Sequence, residues 1–549
     1  MARCADRLVE CLRAQGVDRL FCVPGESYLA LLDALLGDNS IALVTCRQEG
    51  GAGLMALADA KLTDRPGVVA VSRGPGATNA SIAIHSAEQD AVPLVVLVGQ
   101  VARHERGRGA FQEVDYGQTF ADMAKAVWEV HEAAQLPEVV ARAFHLAQQS
   151  TAGPVVIALP EDLLQDDCAA PVVPLLPPAK APPPPDAAVR QILERLAGAE
   201  RPLLIAGGLL ERAAGRRALA AAAEALQIPV ALSFKRQEIF DNASPLFAGH
   251  LGFKIPRRQV ELLAEADLIL AIGVRLGDVT TQGYRLPRAP VPDQPLIHVH
   301  PDSAVLGRLH RTDLALIADP VATLQALAAH ALPGWPQWAE RLHREARLLY
   351  GYEPRRFADG VDFGAVVQPL ARLAPRDAIL TTDAGNFSSW VHSLWPFDGT
   401  QTMLGAVGGA MGLGVPGAIA ACLRHPGRTV LAFVGDGGLM MTGNELATGI
   451  ALGAAPKIFV SNNGGYGTIR LHQERSFPGR PVGTALSNPD FARWAEAFGA
   501  RGIVVARPEE AEPAVEAALA EPGPVLVDVR SSMEAVSIYT TIAKLRGEE

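Results

Sequence analysis

Apolar residues in this chain fall in short uninterrupted runs, separated by longer stretches in which they recur every three or four positions. In the first third the runs are 19–23, 41–45, 68–72, 94–98 and 155–159. A strand that is apolar at consecutive positions has both faces buried, and intervening helices place a helical layer on each face of a parallel sheet. The same alternation returns at 202–206, 229–233, 268–272 and 296–300, and again at 378–382, 429–434, 457–460 and 524–529. The expected fold class is therefore α/β, with three consecutive doubly wound parallel-sheet domains.

A length of 549 residues exceeds what one core organises. Proline punctuates the first boundary, with Pro177-Pro178 and the run 182–185, a composition that favours an extended spacer over a strand. The expected divisions are a first domain over 1–170, a linker over 171–186, a central domain over 187–332, a linker helix within 333–360 and a last domain over 361–549. The net charge of −10 gives phosphate backbones nothing to bind, so nucleic acid is not an expected partner. Six scattered cysteines, with no C-x-x-C pair, favour a reducing cytoplasm over a disulfide framework. Asp6 and Glu10 interrupt the N-terminal segment, which has no apolar signal core. Residues 402–423 carry no charge and could span a bilayer by length. Their glycines and the Val415-Pro416-Gly417 break fit a glycine-rich loop entering a buried helix instead, and no membrane association is expected.

Two strand ends in the last domain carry chemistry. The run 429–434 ends in Gly435-Asp436-Gly437-Gly438, and the run 457–460 leads to Asn462-Asn463-Gly464-Gly465. The segment from Thr442 reads as a crossover helix, which makes the two strands parallel and brings both C-terminal ends to one sheet edge. Asp436 and Asn463 are thereby neighbours. A carboxylate, an amide oxygen and a backbone carbonyl are hard donors suited to Mg²⁺, which completes its shell through phosphates. Gly437 and Gly438 leave backbone N–H groups open at a helix start, where a diphosphate binds. Either turn alone is an ordinary tight turn; the pair at the ends of consecutive strands is far more specific.

G-D-G followed after 24 residues by N-N, spanning 435–463, resembles the signature of thiamine-diphosphate-dependent enzymes. The resemblance implies Asp436, Asn463 and the Gly465 carbonyl as Mg²⁺ ligands. It also implies thiamine diphosphate held by Gly435, Gly437, Gly438, Asn463, Tyr466 and Gly467. Gly408-Gly409-Ala410-Met411-Gly412 resembles the acetolactate synthase loop that grips the aminopyrimidine, with Met411 between the rings and Gly409 accepting from the 4′-amino group. Ala384-Gly385-Asn386 stands where that family has a further diphosphate loop, with Asn386 and Phe387 where Gln and His are usual. In the first domain, Cys46-Arg47-Gln48-Glu49-Gly50-Gly51-Ala52 is similar to the superfamily's R-H-E-G-G-A. Glu49 would hold the proton at the pyrimidine N1′, while Gln48 replaces the usual His and Asp59-Ala60 the usual Tyr-Gly. The resemblance extends to Pro24-Gly25-Glu26 and Arg73-Gly74-Pro75-Gly76-Ala77-Thr78-Asn79. The three expected domains thus become pyrimidine-binding, central Rossmann-like and diphosphate-binding, and Glu49 would meet cofactor held by a second chain, so a homodimer or dimer of dimers is implied.

Ala110-Phe111-Gln112-Glu113 followed by Lys125 is similar to the acetolactate synthase substrate pocket, making Phe111, Gln112 and Lys125 pocket candidates and Gln112 a catalytic one. Glu26 stands where acetolactate synthases have a small residue and decarboxylases a catalytic Asp, and is expected to relay protons. Glu161 replaces the common Lys, and His85 is a further catalytic candidate. The implied activity is a transferase or lyase of acetolactate synthase type: decarboxylation of a 2-oxo acid, pyruvate by default, and addition of the enamine to a second carbonyl compound. The alternatives are a 2-oxo acid decarboxylase or related C–C lyase and, more distantly, a cofactor-binding regulatory protein without turnover. Gly207-Gly208, the 249–252 segment and 273–277 are similar to parts of a flavin site, but His300 stands where an acidic residue commonly holds the adenosine, which leaves FAD open.

Overall fold

The computed structural model describes residues 2–253 and 255–548. Its first sheet contains β1 (Arg19–Cys22), β2 (Ala42–Thr45), β3 (Gly67–Val71), β4 (Leu94–Gln100), β5 (Ala126–Glu129) and β6 (Pro154–Pro160), in the order β2-β1-β3-β4-β6-β5. The second contains β7 (Pro202–Ala206), β8 (Val230–Ser233), β9 (Phe247–Leu251), β10 (Leu268–Ile272), β11 (Leu296–His300) and β12 (Leu314–Ile317), in the order β9-β8-β7-β10-β11-β12. That is the dinucleotide-fold order. The third contains β13 (Ile379–Thr382), β14 (Thr402–Gly405), β15 (Val430–Gly435), β16 (Lys457–Asn462), β17 (Arg501–Val505) and β18 (Val525–Arg530), ordered β14-β13-β15-β16-β18-β17. The first and third sheets thus share one strand order. The α/β class with three parallel sheets is as the apolar runs predict.

Within these three sheets, five strands escape the apolar-run reading: β5, β9, β12, β14 and β17. All five are sheet edges. A central strand is covered on both faces and reads as one apolar run; an edge strand has a free side, and polar or half-buried residues break the run. In β12, for example, half-buried and exposed positions alternate.

One compact unit comprises the first and third sheets, and the second unit is built on the central sheet. Within the first unit, α1 (Glu49–Thr63) is buried from Gly50 to Lys61 and, like α2 (Pro75–Asp90), packs in one core with α3 (Gly414–Arg424). The uncharged 402–423 stretch supplies β14, a turn and most of α3. Among the described residues no helix is long and apolar enough to cross a membrane.

Burying three helices together requires their charges to be paired. Asp59, the departure from Tyr noted above, accepts from Arg424 at 2.8 and 2.7 Å and from Arg19 at 3.3 Å. Arg424 also holds Asp18 at 2.9 and 3.0 Å. Burial works to raise the Asp18 carboxyl, but bonds from Arg424 and Arg65 outweigh it and hold it at about 2. The buried pair Lys61–Asp90, at 3.1 Å, reaches the third domain as well: Lys61 donates to the Gly405 carbonyl, and Asp90 accepts from Val407 N–H.

Arg424→Met leaves Asp59 buried with a single longer partner, and unfolding stability falls by about 3 kcal/mol in a urea titration. Asp59→Leu in the same chain recovers most of the loss. In the wild type the Asp18 contribution is complete above about pH 4 and disappears as pH falls toward 2, because its folded pKa lies below the unfolded one.

Candidate active site

Parallel pairing of β15 with β16 sets Gly435 opposite Ser461. Asp436 opens α4 (Asp436–Thr442) within the glycine turn itself, whereas the sequence places the start of the crossover helix at Thr442; a 3₁₀ turn at Gly443–Glu445 then leads into α5 (Leu446–Ala451). Asp436 is buried. Its Oδ1 accepts from Gly437 N–H at 2.9 Å, and its Oδ2 accepts from Gly465 N–H at 3.1 Å and Asn488 Nδ2 at 2.7 Å. Asn463 Oδ1 lies 3.2 Å from the same Gly465 nitrogen. Two hard oxygens thus converge on one point. Burial raises the Asp436 carboxyl, against the bonds from Asn488 and the backbone.

Close approach explains the glycines. A Cβ on Gly437 would lie 2.6 Å from the Tyr466 ring, and one on Gly438 would lie 2.1 Å from Asp383 Oδ2. Tyr466 precedes α6 (Gly467–Ser476). Asn386 ties the 384–386 loop to this turn, its Nδ2 donating to Gly467 O at 3.1 Å and its N–H to Thr468 Oγ1 at 3.0 Å. Phe387 packs its ring against Gly385 and Gly435. Both departures from Gln-His therefore have a structural partner. Met411 is half-buried, next to a Gly412 carbonyl that accepts from Thr442 Oγ1 at 2.8 Å, and Gly409 is exposed with φ +74°.

In the first domain, Glu49 is the first residue of α1. Gln48 caps that helix by accepting from Gly51 N–H at 2.8 Å, which gives the His replacement a role. Glu49 is half-buried, and its Oε2 accepts from Asn79 Nδ2 at 3.0 Å. The entry to α1 is clamped from the third domain by buried Glu445, which accepts from Arg47 N–H and Gln48 N–H, both at 2.9 Å, and from Thr448 Oγ1 at 2.6 Å. Burial raises the Glu445 carboxyl, with Thr448 opposing.

A Cβ at Gly76 would touch Ser72 at 3.3 Å and Glu49 Oε1 at 3.4 Å. Ser72 bonds Ser27 (3.0 Å), and Arg73 joins Glu161 (2.6 Å) and Glu26 (3.4 Å). Gln112 adopts a left-handed φ of +64° and packs against Gly74, whose N–H donates to Tyr116 Oη at 3.0 Å. Such backbone strain in a non-glycine residue is concentrated at functional sites. Glu113 fixes the loop before it: N–H groups of Gly107 and Ala110 and the Arg106 guanidinium hold its carboxylate below the usual range.

Glu49, Glu26 and Gln112 are thereby linked through residues 72–79, the turn after β3 and the start of α2. Lys125, expected in the pocket, instead lies at the opposite, N-terminal edge of the first sheet, just ahead of β5, with its ammonium on the Gln149 and Thr151 carbonyls at 2.6 and 2.9 Å. His85 is exposed on α2, more than a turn beyond Asn79, and Phe111 is 74% exposed. Sequence reasoning missed Asn488, Glu445 and Tyr116. Each acts through a contact remote in the chain, and nothing in its own local pattern marks it.

The order of domains and these two half-sites define a thiamine pyrophosphate enzyme. Residues 2–119 match the N-terminal TPP binding domain of that class, 189–327 its central domain and 383–529 its C-terminal TPP binding domain. The acetolactate synthase large subunit of Parasynechococcus marenigrum is 32% identical over 544 residues, covering 96% of this chain and 87% of that protein. The isozyme 1 large subunit of Escherichia coli is 31% identical, covering 96% and 94%, and the large subunit of Lactococcus lactis 30%, covering 99% and 95%. The chain belongs to the acetolactate synthase family of thiamine pyrophosphate enzymes.

Asn488 bridges Asp436 and Asn462, at 2.7 and 2.9 Å, and so orients the carboxylate from behind. Asn488→Ala is expected to raise the Mg²⁺ concentration needed for half-maximal thiamine diphosphate retention by about tenfold or more. Equilibrium dialysis of the full chain measures it.

Proposed function

We propose that this enzyme, a thiamine-diphosphate-dependent carboligase of acetolactate synthase type, takes pyruvate as its default donor and joins the decarboxylated acyl carbon to a second carbonyl compound. The observation that carries this reading is the convergence of Asp436 Oδ2 and Asn463 Oδ1 on Gly465 N–H, with Glu49 set separately at the head of a buried helix.

The donor set fits Mg²⁺. Asp436, Asn463 and the Gly465 carbonyl are hard oxygens, too few to complete the shell, as suits an ion that shares a diphosphate. That carbonyl already accepts from Gly467 N–H at 2.9 Å, which fixes its direction. Gly438 N–H, in the first turn of α4, adds a dipole favourable to anions. The loops 384–386 and 465–468, bonded to each other, would complete the diphosphate cradle, with Gly435, Gly437, Tyr466 and Gly467 alongside. Gly409 and Met411 would meet the pyrimidine.

Thiamine diphosphate, when bound, supplies the electron sink that lets a 2-oxo acid lose CO₂. Glu49 would hold the proton at the pyrimidine N1′, its orientation fixed by Asn79. Gln112 and Phe111 would face the reacting carbonyl, and Glu26 would move a proton to or from its oxygen. His85, on α2, would serve only as a distant proton exchanger.

A homodimer, alone or paired into a tetramer, fits the exposed apolar residues on the site elements: Ile82 on α2, Phe111, Met440 and Met441 on α4, and Ile469 on α6. FAD fits less well. His300, where a carboxylate would hold the adenosine ribose, is buried, brought down to about 4 by burial and His298, and accepts from Asp302 N–H. No step is assigned to a flavin. A cytoplasmic location accords with six reduced, buried cysteines.

Feeding pyruvate to the full chain with thiamine diphosphate and Mg²⁺ tests the reading. Acetolactate or another ligation product is expected, whereas free acetaldehyde alone would mark a decarboxylase. Glu49→Gln should cut kcat by about 10²–10⁴-fold while the protein retains the cofactor. Full activity in that variant would remove Glu49 from the mechanism.

A further inference from the structure

The buried pair Lys61–Asp90 does more than neutralise itself. Lys61 lies in the last turn of α1, and Asp90 closes α2. Their charged ends meet at 3.1 Å with both side chains sealed from solvent. A buried pair of this kind adds little stability beyond that of apolar residues of equal volume. What apolar residues would lack is its remaining hydrogen-bond capacity, and that is directed at one segment. Lys61 Nζ donates to the Gly405 carbonyl at 3.2 Å, and Asp90 Oδ1 accepts from the N–H groups of Val407 and, at 3.4 Å, Gly408.

Val407 and Gly408 are the middle residues of a turn that the Gly409 N–H closes onto the Ala406 carbonyl at 3.2 Å. A Cβ on Gly408 would lie 2.9 Å from the Gln89 side chain, so the turn rests directly on the end of α2. Beyond it, the Gly412 carbonyl accepts from Thr442 Oγ1 at 2.8 Å, and a Cβ on Gly412 would lie 2.9 Å from Thr442 Cγ2. The segment is therefore anchored on both sides of Gly409. Gly409 itself is different: it is exposed, its φ is +74°, and a Cβ there would meet nothing within 4 Å. Backbone with open space in front and fixed residues on either side is preorganised to receive a ligand.

We propose that Asp90 is a positioning residue for the cofactor: by holding the turn at Val407 and Gly408, it aims the Gly409 carbonyl at the 4′-amino group of the pyrimidine. The proposal rests on the thiamine diphosphate reading above and adds to it a group that acts from behind the loop. Asp90 touches neither cofactor nor substrate. A glycine with a free front has a wide choice of ψ, and its carbonyl turns with ψ, so the backbone on either side decides where that oxygen points. Lys61 offsets the burial of the Asp90 charge, which leaves Oδ1 to the turn. Glu49 begins α1 about 18 Å from Lys61. Its bond with Asn79 is therefore out of reach of a change at this end of the helix.

The test uses the full chain and two double variants. Lys61→Met with Asp90→Leu replaces the pair by apolar residues and removes the acceptor. Lys61→Met with Asp90→Asn also removes both charges but keeps an oxygen for the turn. Hydrogen–deuterium exchange over 404–413, read by mass spectrometry without cofactor, should quicken in the Leu variant and not in the Asn variant. With thiamine diphosphate and Mg²⁺ bound and no substrate, exchange of the cofactor's C2 proton into D₂O is read by NMR after acid quench. It should slow by about tenfold in the Leu variant, the worth of one directed hydrogen bond, and stay within about threefold of wild type in the Asn variant. Cofactor retention should change by less than about threefold in either, because the metal and diphosphate donors lie on other elements. Wild-type C2 exchange in a folded Leu variant overturns the proposal. So does an equal loss in both variants, which would mark the ion pair as structural alone. Asp90→Glu keeps the pair and displaces the oxygen by one methylene; it takes the place of the Leu variant, with the same expectations, if that protein does not fold. A wild type that retains no thiamine diphosphate overturns the proposal and the cofactor reading together. A wild type that forms no ligation product from pyruvate overturns the carboligase reading and leaves these exchange measurements standing.

Discussion

A buried carboxylate at the C-terminal edge of a parallel sheet organises the third domain. Asp436 sits where two adjacent strands end together, and burial alone would make its charge costly. Three donors offset that cost: Gly437 N–H, Gly465 N–H and the Asn488 amide. Those donors also decide the direction of its oxygens, so that Asp436 and Asn463 face one point. The glycines follow from the same crowding. The Tyr466 ring and the Asp383 carboxylate come so close that positions 437 and 438 have no room for a Cβ.

A second set of buried charges joins the first and third domains within one unit. Glu445 receives the backbone just ahead of Glu49, Arg424 collects Asp18 and Asp59, and Lys61–Asp90 meets the strand end at 405–407. These links run from diphosphate-side elements to the helix that starts with Glu49. The placement of Glu49 is thus set by groups on the other domain. Two sheets of the same strand order present their carboxyl-end residues under this constraint: Glu49 and the 72–79 segment on one, Asp436 and Asn463 on the other.

Departures from the family's residue pattern cease to look arbitrary once their partners are visible. Gln48 is a helix cap, Asp59 answers two arginines, Phe387 fills the space beside two glycines, and Glu26 and Glu161 share Arg73. Each substitution is matched by a partner distant in sequence. Reading positions one at a time registers only the mismatch.

The apolar runs by themselves determined the α/β class, the central strands and the strand–helix–strand unit of the diphosphate site, because a strand covered on both faces must be apolar throughout. The Gly-Asp-Gly and Asn-Asn turns stood out for a similar reason: the crowded backbone there demands glycine. Every edge strand but β2 stayed hidden, since a free side tolerates the polar residues that break a run. Only the tertiary structure decided which charges meet. Asn488 behind Asp436, Glu445 ahead of Glu49 and two glutamates on Arg73 are pairings across long sequence separations, chosen by how helices and sheets pack and carried by no periodicity in the chain.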